Sequence, residues 1–90
     1  MLRQNPLYVS RKVNEECVLV PVRQSVAEMG AVYVLNEVGA RIWELVGDGQ
    51  TAEQMVAILG QEFDAPTQQI AQDVASFLDR MRLLGAIVEE

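Results

Sequence analysis

The composition of the chain changes at Asn36, and that change restricts the fold more than any other feature. Before it, the apolar runs are rich in Val and suit strands; after it, helix formers take over. Leu7 to Val13 (LYVSRKV) reads as a first strand and Cys17 to Val22 (CVLVPV) as a second, with a turn at Asn14, Glu15 and Glu16 between them. Pro21 has no N–H to give a ladder, so the second strand should be an edge or should break there. Arg23 to Met29 reads as a connecting loop, long for a hairpin, and Ala31 to Leu35 (AVYVL) as the third strand. In that strand Tyr33 and Leu35 share one face and Val32 and Val34 the other.

Three helices follow. Asn36 is a good N-cap, because its side-chain oxygen can accept from the free N–H groups of a first turn. Val38, Ile42, Leu45 and Val46 then recur on one face, with Trp43 beside them, up to the turn Gly47-Asp48-Gly49. Thr51 and Gln54 have the spacing of a capping box, and Met55, Ile58, Leu59 and Phe63 line the second helix. Asp64-Ala65-Pro66-Thr67 breaks the chain again. Ile70, Val74, Phe77, Leu78, Met81 and Leu84 then repeat at three and four residues until Gly85, and Ala86-Ile87-Val88 packs or extends as a tail. Three N-terminal strands, taken as antiparallel, followed by three helices give an α+β fold, and the order suits a winged helix-turn-helix-like arrangement.

Ninety residues read as one domain covering 1–90. Seven basic and 13 acidic residues give a net charge of −6, which opposes binding to a phosphate backbone. The N-terminus lacks the apolar run of a signal peptide, and no stretch is apolar enough to span a membrane. The expectation is a soluble, cytoplasmic protein.

Catalytic chemistry is hard to find. There is no histidine, the commonest general base and metal ligand. The single cysteine, Cys17, lies in an apolar run and reads as a small core residue rather than a nucleophile. Glu15 with Glu16, and Glu89 with Glu90, read as solvated pairs, and Asp48-Gly49 as a turn. Gly30 and Gly39 form no phosphate-binding pattern. The expectation is a protein without catalysis, cofactor or metal.

Two binding readings remain. In a winged-helix DNA-binding protein the third helix would enter the groove, but its first half, Thr67 to Asp73, carries glutamines and an aspartate and no base, while Arg80 and Arg82 come late. In a peptide or protein binder, the open edge of a three-stranded sheet would accept a partner strand. A structural subunit or inhibitor using the same fold for another protein is a further form of that reading.

The segments VYVLNEVGARIWELVGDGQTAEQMVAIL and QDVASFLDRMRLLGAI resemble the PqqD-like family, with CVLVPV similar to its second strand. The matching features are Leu35-Asn36, Ile42-Trp43 with Leu45, Asp48-Gly49 with Thr51, Asp73-Val74, Phe77-Leu78 and Gly85, over about Tyr8 to Val88. Read from the residues alone, these have structural jobs: capping, core filling and turning. The resemblance implies three strands and three helices in a winged-helix-like fold. It also implies an adaptor without catalysis, which binds the leader of a ribosomally made precursor peptide as an extra strand on the third strand, beside the third helix. The adaptor then presents the peptide to a modifying enzyme, often a radical S-adenosylmethionine enzyme. Carried onto this chain, the docking edge is Ala31, Val32, Tyr33 and Val34. Asp73, Ser76, Arg80 and Leu83 form a stripe on the third helix; Leu83 reads as a groove contact and Arg80 as a partner for an acidic leader residue, and ordinary helix surface is the alternative reading of each.

Overall fold

The structure, a computed structural model, describes residues 1–14, 16–22 and 33–90. The expected loop Arg23 to Met29, Gly30 and the docking-edge residues Ala31 and Val32 lie outside the described residues, as does Glu15. Five strands and three helices are described. In chain order they are β1 (Leu2–Gln4), β2 (Tyr8–Val13), β3 (Glu16–Pro21), β4 (Tyr33–Leu35), α1 (Glu37–Gly47), α2 (Ala52–Glu62), α3 (Thr67–Leu84) and β5 (Ile87–Glu89).

The main sheet is antiparallel with the order β2-β3-β4. Val13 pairs with Glu16, and Asn14 makes the turn with a φ of 58°, a conformation asparagine tolerates. Cys17 lies opposite Leu35, and Leu19 opposite Tyr33. Pro21 ends β3 beyond the stretch that pairs with β4, so its missing N–H breaks the ladder only at its end. Directly paired residues share a face. Tyr8, Leu19, Tyr33 and Leu35 therefore face the helices, while Val9, Val18, Val20 and Val34 form the outer face.

The helix boundaries follow their caps. The Asn36 side chain accepts from the Gly39 N–H at 2.8 Å. Thr51 accepts from the Gln54 N–H at 3.1 Å, and the Gln54 side chain accepts from the Thr51 N–H at 2.8 Å, which closes the capping box. Pro66 precedes α3 as its N-cap, and Gly85 ends it at a φ of 81°, where a side chain would be strained. Ile42, Trp43, Leu45 and Val46 of α1 are buried with Met55 and Leu59 of α2 and with Ile70, Val74, Phe77, Leu78 and Met81 of α3. Leu19 of β3 closes this core from the sheet side.

A second sheet has no counterpart in the sequence reading. β1 pairs antiparallel with β5, Arg3 opposite Val88, so the apparent tail after Gly85 is a strand whose partner is the start of the chain. Leu2 and Ile87 are buried there. Three side chains stitch the start of the chain to the helices. Gln4 donates to the Trp43 carbonyl at 2.7 Å, Asn5 to the Gly85 carbonyl at 2.8 Å, and the Tyr8 hydroxyl to the Leu84 carbonyl at 3.0 Å.

Candidate functional site

β4 is an edge of the main sheet, and among the described residues no strand pairs with its outer side. The strand runs directly into α1 through Asn36. A groove of about 250 Å³ opens between this edge and α3. Val34, Leu35 and Asn36 form one wall; Asp73, Ser76 and Arg80 form the other; Val38, Gly39, Ile42 and Phe77 complete the lining. The apolar floor follows from a close approach of α1 to α3. A Cβ added at Gly39 would lie 3.1 Å from the Phe77 ring and 3.2 Å from the Asn36 side chain, so glycine lets the two helices meet there.

The expected site residues do not all share one place. Val34, Asp73, Ser76 and Arg80 come together in one groove. Val34 is 62% exposed and belongs both to the groove and to the outer sheet face. Tyr33 turns its side chain inward against the core. Leu83 stands one turn beyond Arg80, 90% exposed and outside the groove lining. Helical spacing places it on the stripe but does not show where along the helix the groove ends. The floor residues Val38, Gly39, Ile42 and Phe77 carry only structural signals in the sequence and are not among the expected site residues. Gly39, three residues after a capping asparagine, is the one signal that could have found the floor.

The polar groups of the groove differ in their engagement. Asp73 accepts from Gln69 at 2.9 Å, one turn earlier on α3, and keeps a second carboxylate oxygen as acceptor. Arg80 makes no ion pair or hydrogen bond among the described residues. Arg82, the other base considered for a nucleic-acid face, lies 3.3 Å from both Asp79 and Glu89.

A second cleft, about 600 Å³, lies on the other side of Leu35 and Asn36 and includes Lys12, Cys17, Glu44 and Phe63. Its size does not make it the better site, because its charged wall is already joined across helices. The Arg41 guanidinium forks onto both Glu62 oxygens at 2.8 Å. Those hydrogen bonds hold the Glu62 carboxyl below the usual carboxylate range and raise Arg41 further. Cys17 sits opposite Lys12 in the ladder, half-buried against the core. Among the described residues no cluster of His, Cys, Asp and Glu could hold a metal ion, and no helix is long and apolar enough to cross a membrane.

Comparison with known proteins gives a family and two solved structures of similar fold. The family described as Coenzyme PQQ synthesis protein D (PqqD) matches residues 16–87. One solved structure, TbiB1 in complex with the TbiA(beta) leader peptide, superposes with a TM-score of 0.78 at 23% identity, covering 98% of this chain and 96% of that one. Another, a lasso peptide synthetase B1 complexed with the leader peptide, gives 0.80 at 19% identity and covers 98% of each chain. No curated protein matches.

Proposed function

This chain belongs to the PqqD family, and from that premise we propose that it is a recognition module without catalysis of its own, which captures the leader of a ribosomally made precursor peptide. The observation that carries this reading is the open edge of β4 beside α3, with a groove between them that one extended strand would fill. Main-chain hydrogen bonds to β4 supply affinity, and the groove residues Val34, Asp73, Ser76 and Arg80 supply selectivity. Ala31, Val32 and Tyr33 extend the docking edge, and Leu83 meets peptide that runs past the groove. Both solved neighbours hold a leader peptide, which supports the same role here. The module then presents the precursor to a modifying enzyme, of the radical S-adenosylmethionine type or another, in the cytoplasm where such precursors are made. The whole of residues 1–90 acts as one domain.

The test is a fluorescence-anisotropy titration with the leader of the short precursor encoded nearest the gene, comparing the native chain with Val34→Pro. Proline removes the N–H of an edge residue and fixes its φ. The expected result is saturable binding to the native chain, at least tenfold weaker for the folded variant, and no binding of duplex DNA. Equal binding by both chains would remove β4 as the docking edge. Binding of DNA alone would favour the winged-helix DNA-binding reading instead.

A further inference from the structure

The two charged residues of the groove define a direction. Tyr8 starts β2 opposite Pro21, beyond the Leu19–Tyr33 pair, and its hydroxyl donates to the carbonyl of Leu84 at the C-terminal end of α3. Phe77, half-way along α3, lies instead against Gly39, just past the end of β4. α3 therefore runs opposite to β4. Arg80 falls towards the Tyr33 end of the groove and Asp73 towards the Asn36 end.

A strand that joins β4 in the antiparallel sense, as every pair in this sheet does, runs along α3 in the same direction as the helix. Its earlier residues pass Asp73 and its later ones pass Arg80. We infer that the groove selects peptides in which a cationic residue precedes an anionic one, so that Asp73 and Arg80 set both the register and the polarity of the captured strand. This inference rests on the peptide-capture reading and adds the chemistry of the peptide to it.

The spacing follows from the two geometries. Asp73 and Arg80 are separated by about 10.5 Å along the helix axis. Strand residues advance about 3.3 Å each, and alternate ones share a face. A cation and an anion two or four positions apart, about 7 or 13 Å, therefore bracket the helix spacing within the reach of long side chains. The Ser76 hydroxyl lies between the two charges and tolerates either neighbour. The N-terminus of α1, which also borders the groove, does not reverse this pattern. Its partial positive charge is already answered by the Asn36 cap and by Glu37 in the first turn.

The test is selection of random dodecapeptides from a display library on the immobilised full chain, on an Asp73→Arg/Arg80→Asp exchange variant, and on Val34→Pro as the edge control. The expected result is enrichment of Lys or Arg ahead of Asp or Glu by two or four positions on the native chain, at least fivefold over the reverse order, with the order inverted on the exchange variant. Asp73→Asn and Arg80→Gln should each erase only their own half of the preference, which keeps the test decisive if the exchange variant does not fold. Peptides enriched over the Val34→Pro control without charge order, or with the same order on both chains, would overturn the polarity inference and leave strand capture standing. No enrichment over that control would overturn capture and polarity together.

Discussion

Asn36 has three tasks at one position. It ends β4, caps α1 through Gly39 and lines the groove. The cap accounts for its identity, because a helix that starts directly after a strand leaves free N–H groups in its first turn. Asn36→Ala should destabilise the chain by about 1 kcal/mol in urea denaturation, and Asn36→Asp should keep most of that stability. A wild-type midpoint for the alanine variant would mean that the Gly39 N–H has another partner. Caps of this kind are legible in the sequence, since an asparagine or threonine before an amphipathic run has one local explanation. Gly39 is not. Its lack of a side chain leaves room for the Asn36 cap and for Phe77, which comes to rest against it 38 positions later.

At the scale of elements, the regular helices are legible in the sequence and the terminal strands are not. The apolar repeat of α3 runs from Ile70 to Leu84, and every buried position of this 18-residue helix is expected from it. β1 and β5 have three residues each, too few to show alternation, and their pairing joins opposite ends of the chain. The second sheet is nevertheless part of the core. Ile87, 1% exposed, should cost about 2–5 kcal/mol when replaced by alanine. A loss near zero by chemical denaturation would show β5 to be an ornament.

The Arg41–Glu62 fork joins α1 to α2 and gives the helix cluster a pH-dependent element. Glu62 is lowered in the folded chain, so its contribution is present above the ordinary carboxylate range and disappears as pH falls through the lowered value. The stability gap between the native chain and Arg41→Met should be constant at neutral pH and close in acid. Both groups are partly solvated, so the gap should be small. A gap that widens in acid would contradict the assignment.

For the whole molecule, among the described residues, the fold leaves the β4 edge of the main sheet unpartnered beside a groove and supports it from behind. The hairpin β2–β3 holds β4 on one side, α1 fixes its end, and α3 forms the opposite wall of the groove. Net charge and the absence of histidine narrow the function from composition alone, and the family resemblance supplies the peptide. What stays hidden in the sequence is which stripe residues share a cavity. That depends on where β4 stops relative to α3, a tertiary distance with no local signature; Arg80 falls inside the groove and Leu83 outside it for that reason. The most direct measurement is an NMR titration of the labelled chain with the neighbouring leader peptide. Strand addition predicts shifts concentrated at Tyr33, Val34 and Leu35 and along Asp73 to Arg80, with slowed amide exchange on the outer side of β4 and β2 unaffected. Shifts confined to β2, or to the cleft around Arg41 and Glu62, would contradict it.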